Sequence, residues 1–149
     1  MKSFVKNEIG ISMLEILLVV ALIAIVAGFS VPVYQSFQVQ NDLDIAATTL
    51  AQTLRRAQIS SQGMRDDTQW GVYVKSGDIT LFQGASYTGR DVDYDEVYSV
   101  PTTIIPSSNW EVVFDKYTGN LAADSSLILT ASNGRTKNIV INTKGMVEY

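Results

Sequence analysis

Three hydrophobic rhythms follow one another along the chain. From Ile16 to Phe29 every residue is aliphatic, Ala, Gly or Phe, and apolar character resumes at Val31, Pro32 and Val33. As a helix, residues 11–33 are long enough to cross a bilayer core of roughly 30 Å. The pattern then changes: Leu43, Ala46, Ala47, Leu50, Leu54 and Ala57 recur at three- and four-residue steps, with Asp42, Asp44, Gln52, Arg55 and Arg56 between them. Such spacing predicts an amphipathic helix over 34–62 that lays one stripe on a partner surface. Gly63 is the expected C′ terminator, with Arg55 and Arg56 placed toward the negative end of the helix dipole.

Beyond Gly63 the period shortens to two. The stretches "TQWGVYVK" (68–75) and "DITLFQ" (78–83) flank a "KSGD" turn and predict a hairpin. "WEVVFD" (110–115), "SLILTA" (126–131), "TKNIVIN" (136–142) and "MVEY" are further strand candidates, separated by Thr-Gly, Asn-Gly and Lys-Gly turns. Residues 64–149 therefore predict an antiparallel sheet or small sandwich, with Ile79, Leu81, Val112, Phe114, Leu127, Leu129, Val140 and Met146 in its core. Residues 84–109, polar and carrying two prolines, are expected to form a surface loop. The fold class expected is α+β: a long N-terminal helix, membrane-spanning in its first half, packed on a C-terminal antiparallel sheet.

Charge orients this picture. Lys2 and Lys6 precede the apolar run and no basic residue follows until Arg55, so the positive-inside bias predicts a single-pass inner-membrane protein with its N-terminus in the cytoplasm and its C-terminal domain outside. Composition then narrows the chemistry. The chain has no histidine and no cysteine, which excludes a Ser-His-Asp triad, the common zinc sites, a thiol nucleophile and any disulfide. No cofactor and no enzymatic role are expected. A net charge of −4 argues against broad nucleic-acid binding.

One residue does not fit a plain membrane anchor. Glu15 lies inside the apolar run, where a charged side chain costs roughly 2.5–3.5 kcal/mol on insertion scales, and it follows Gly10 by five positions. The stretch "G-ISMLEILLVVALIAIV" resembles the type III leader and N-terminal helix of type IV pilins and pseudopilins. The resemblance implies that residues 1–10 are a leader removed by a prepilin peptidase between Gly10 and Ile11, and that Ile11 becomes the N-methylated terminus. It further implies that Glu15 pairs with that new amine in a neighbouring subunit. Pro32 and Tyr34 stand where many members carry a bending proline and a nearby tyrosine, so Gly28 and Pro32 are the expected helix kink. The sequence departs from the pattern at Ile11, usually Phe or Met, and at "SM" in place of "TL".

The body, with "LRRAQ", "WGVYV" and a final "NGR…IVI…G" hairpin, resembles the H-type minor pseudopilins of type II secretion and related minor pilins. The implied partners are other pilin subunits through the N-terminal helix, the prepilin peptidase, an assembly platform and the cytoplasmic membrane. A DNA- or ligand-binding minor pilin of a competence or adhesion pilus, or the major pilin, stays open, although the absent cysteines depart from the disulfide-closed region of many major pilins. For DNA the candidate contacts are Arg135, Lys137 and Lys144, against the plainer alternative of ordinary turn charges. Asp91, Asp93 and Asp95 alternate as at the start of a calcium loop, but Glu96 and Thr102 occupy the places where an EF-hand needs Gly and Glu, so a solvated acidic loop is favoured. Trp70 and Trp110 are expected to pack on the sheet, and Ser60 and Ser61 have no base near them.

Overall fold

The computed structural model describes residues 12–149, apart from the side chains of 29–33. It divides into two compact units, one ending at Ser36 and the other comprising Phe37–Tyr149. Helix α1 (Met13–Gln62) contributes residues to both.

The first unit corrects an expectation. Among the described residues no helix is long and apolar enough to cross a membrane. The described apolar stretch, 13–28, is shorter than the roughly 20 residues a spanning helix needs, and Glu15 sits near its start. The α+β class stands, but a membrane-spanning first half of the helix does not. The single-pass inner-membrane placement falls with it.

In the second unit the helical stripe does what its spacing demands. Leu43, Ala46, Ala47, Leu50, Leu54 and Ala57 are all buried, joined by Ala51, Thr53 and Ser61. They share one core with two antiparallel four-stranded sheets. The first sheet runs β3 (Asp91–Ser99), β2 (Asp78–Gln83), β1 (Trp70–Lys75), β5 (Trp110–Phe114). The second runs β4 (Ile104–Pro106), β6 (Ser125–Ala131), β7 (Thr136–Ile141), β8 (Val147–Glu148). Alternation buries Trp70, Val72, Val74, Ile79, Leu81, Val112 and Phe114 from the first sheet, and Leu127, Leu129, Ile139 and Ile141 from the second. The hairpin β1–β2 closes at Gly77, whose φ of 92° is the left-handed geometry its turn requires. Pro106 lies on β4, an edge strand, where its missing N–H breaks no ladder.

Three local expectations need correction. Residues 84–109 are not one loop: β3 and β4 lie within them. β3 pairs with β2 from Asp78↔Ser99 to Gln83↔Asp91, with an irregularity between Leu81 and Gln83. Its alternation of Asp and apolar residues (91–95) is a strand signal that its acidity obscured. In β7 the residues turned inward are Ile139 and Ile141, while Val140 is exposed, because three successive apolar residues carry no alternation to choose a face. Met146 is exposed as well, beyond the β7–β8 turn. Finally, the left-handed residue ending α1 is Met64 (φ 54°) rather than Gly63; the Gly63 N–H still donates to the Ile59 carbonyl (2.8 Å). No basic residue occupies the last helical turn, and Arg56 is committed elsewhere.

Candidate functional site

The start of α1 is built locally. Ser12 precedes the first helical residue, and its Oγ accepts the Glu15 N–H at 3.1 Å. The Ser12 carbonyl also accepts the N–H groups of Glu15 (3.0 Å) and Ile16 (3.2 Å). Ser12 is therefore the N-cap and Glu15 the third helical residue, the S-x-x-E spacing of a capping box. A carboxylate there also faces the positive end of the helix dipole, worth about 0.3–1 kcal/mol. Glu15 thus has a local reason to exist, legible in the "SMLE" spacing, that is independent of any intermolecular partner.

Every large aliphatic residue from Met13 to Val26 is exposed, at 47–81% of its full surface. A helix apolar on all faces belongs in an apolar environment or a bundle, so this segment, with Glu15 near its head, is the candidate functional surface. Gly28 is helical, and a Cβ built there meets nothing within 4 Å. Pro32, its partner in the expected kink, falls within α1, its side chain outside what is described; Gly10 and Ile11 of the expected cleavage and methylation site lie outside the described residues.

The other candidates are used internally. Arg135 Nη1 donates to Gln40 Oε1, and Lys137 Nζ lies 3.0 Å from Asp44 Oδ1, so both hold β7 against α1. Lys144 sits in the turn beyond the far end of β7, so the three cations do not form one patch. Asp95 is taken by Arg90, whose Nε donates to both its oxygens (3.0 and 2.8 Å). Asp91 Oδ1 accepts the Asp93 N–H. No metal-ligand cluster exists among the described residues. Trp70 and Trp110 are buried; the Trp70 Nε1–H reaches the Arg65 carbonyl (3.2 Å), and the Trp110 Nε1–H reaches Ser125 Oγ (2.7 Å), tying β5 to β6 across the two sheets. Ser61 is fully buried, and its Oγ accepts the Trp70 N–H at 2.9 Å.

Polar latches that the sequence did not announce bind the end of α1 to distant segments. Gln58 Nε2 donates to the carbonyls of Gly119 (3.1 Å) and Lys144 (2.9 Å), and Gln62 Nε2 to that of Thr118 (3.1 Å). Gly119 and Gly145 both have positive φ, and a Cβ at either would run into these glutamine side chains. Glycines in "YTGN" and "TKGM" are the sequence trace of that close approach.

On the other flank, Arg56 grips β3. Its Nη2 donates to Glu96 Oε1 (2.8 Å), its Nη1 lies 2.8 Å from Glu96 Oε2, and the Tyr98 hydroxyl donates to that same oxygen (2.9 Å). Burial pushes the Glu96 carboxyl up, but hydrogen bonds from Arg56 and Tyr98 outweigh it and hold the group below its ordinary value of 4.5. Because the folded group is the stronger acid, the unfolded chain binds more protons as pH falls. Its stabilisation is present above the ordinary glutamate range and is lost as pH drops through the lowered value. Urea unfolding should show the wild type losing stability below pH 4.5, with a shallower acid limb in Glu96→Gln. At neutral pH the variant should lose about 0.5–1 kcal/mol, as befits a half-exposed pair. An unchanged acid limb would refute the role given to Glu96.

No family model, curated protein or solved structure matches the chain.

Proposed function

We propose that this chain is a structural subunit of a pilus-like filament, a minor pilin or pseudopilin, assembled through the apolar N-terminal segment of α1. The observation that carries this is the segment Met13–Val26, aliphatic on every side and exposed throughout. Packed against the same segment of neighbouring copies, it would bury a continuous apolar surface at roughly 25 cal/mol per Å². The sequence resemblance adds the maturation step: cleavage by a prepilin peptidase after Gly10, methylation of Ile11, and pairing of the new amine with Glu15 of a neighbour. That pair gains strength as the bundle excludes water.

Glu15 therefore has two jobs that a single substitution can separate. Gln keeps the S-x-x-E/Q spacing and leaves the backbone N–H of residue 15 on Ser12 Oγ, but removes the charge. Glu15→Gln should leave cleavage intact and lower filament incorporation at least tenfold, read by immunoblot of sheared filaments against total cell protein. Normal incorporation sinks the pairing role. For maturation, mass spectrometry of Gly10→Ala should show a chain that keeps residues 1–10; continued shortening would refute cleavage at that site.

A further inference from the structure

Most cations of the second unit are spoken for. Arg56, Lys75, Arg90, Lys116 and Lys137 each hold an acid at 3.3 Å or less. Arg135 is held by Gln40 instead, and Arg55 and Lys144 have no acidic partner among the described residues. A groove of about 440 Å³ lies between α1 and the β7–β8 turn, lined by Arg55, Gln58, Ile59, Gly145, Met146 and Val147. The Gln58 bond to the Lys144 carbonyl brings that turn against the helix. Ile59 and Met146 are 66% and 61% exposed in it. The groove is apolar in its walls, with Arg55 on its lining and Lys144 next in the chain to Gly145; Glu148, the acid on β8, alternates to the face opposite Val147.

A complementary surface exists on the same chain. β3 is the free edge of the first sheet, and its outer half carries Asp91 and Asp93 on one face and Val92 and Tyr94 on the other. Asp95 and Glu96 are already neutralised by Arg90 and Arg56. Asp91 and Asp93 have no cation among the described residues, and Val92 is 63% exposed. Unpaired strand edges with apolar side chains are sites of intermolecular pairing unless blunted, and here the acidic residues restrict which partner the edge accepts.

We infer that the groove beside β8 receives the β3 edge of a second copy, with Val92 and Tyr94 against Ile59 and Met146 and the uncompensated aspartates against Arg55 and Lys144. One copy cannot satisfy itself. Arg56 ties β3 to α1 and Gln58 ties the groove's turn to it, and two residues apart on a helix is about 200° around the axis. The contact joins two different surfaces, so it is head-to-tail and repeats from copy to copy, the arrangement that generates open helical assemblies. It rests on the filament reading and names the side-to-side contact between the folded domains.

The absence of cysteine makes the test clean. Full chains carrying Val92→Cys and Met146→Cys together should give a disulfide-linked ladder on oxidation. Mixing the two single-cysteine chains should give only their heterodimer. Arg55→Asp should reduce ladder yield at least fivefold, and adding Asp93→Arg should restore at least half of it. Electron microscopy of the same samples separates the failures. Filaments without a ladder overturn this contact and leave the filament reading standing, whereas neither filaments nor ladder overturns both. A ladder indifferent to Arg55→Asp, or abundant homodimers of either single variant, overturns the complementarity.

Discussion

Trp70→Ala is expected to lower unfolding free energy by about 3–5 kcal/mol, the range for deleting a large buried aromatic. Trp70 is 1% exposed and sits where several segments converge. Its ring meets Tyr94 edge-on at 6.4 Å and lies under the Arg65 guanidinium at 4.8 Å. Its backbone N–H is capped by buried Ser61 from the last turn of α1, and its indole N–H satisfies the Arg65 carbonyl. Alanine leaves the Ser61 contact but opens a cavity and orphans that carbonyl. The loop 64–67 loses its anchor too; Met64, Asp66 and Asp67 are held there at left-handed φ of 54°, 55° and 56°, a geometry that persists only when its surroundings impose it. Urea unfolding by far-UV circular dichroism measures the loss. A change under 1 kcal/mol would mean that the site collapses around the smaller side chain and that Trp70 is not the keystone of this end of the domain.

The neighbouring position fails for the opposite reason. A Cβ built at Gly71 lies 2.5 Å from Phe82 Cζ and 2.7 Å from the Val112 carbonyl oxygen. Gly71 pairs directly with Phe82 across β1–β2, so the ring lies over a glycine, an arrangement that buries Phe82 completely on the face away from α1. Tyr87 closes over it, edge-on to Phe82 at 5.6 Å, stacked on Tyr73 at 3.8 Å, and itself covered by Arg90 at 3.8 Å. Gly71→Ala should therefore cost about 1–3 kcal/mol through overpacking. The Phe82 ring can move, but the Val112 carbonyl belongs to the sheet. Adding Phe82→Leu should recover part of the loss in a double-mutant cycle; strict additivity of the two would remove the ring from the explanation. Gly28→Ala is the contrast: in a helix with open space around it, it should stabilise by about 0.5–1 kcal/mol.

The same contrast separates what was legible from what was not. The stripe Leu43–Ala57 and the β1–β2 hairpin were legible because each is a period set by chain neighbours. β3 was missed because acidity dominates its composition, although it alternates; its stability comes from pairing with β2 and from Arg56 and Arg90. Val140 was misassigned because "IVI" offers no local reason to prefer one face. The basic cluster looked like one patch because Arg135, Lys137 and Lys144 are near in sequence, whereas a six-residue strand between the first and last separates them. The membrane span was inferred from hydropathy over 11–33, and among the described residues no helix is long and apolar enough to bear it.

By itself, then, the sequence determined the helical stripe, most strand positions and the anomaly of Glu15, all of which depend on residues within a few positions of one another. Only the tertiary structure decided which long-range partners each charge and amide would meet. Arg56 finds Glu96 40 residues on, and Gln58 finds Lys144 86 residues on. Such pairings carry no period; they follow from which surfaces the core brings together.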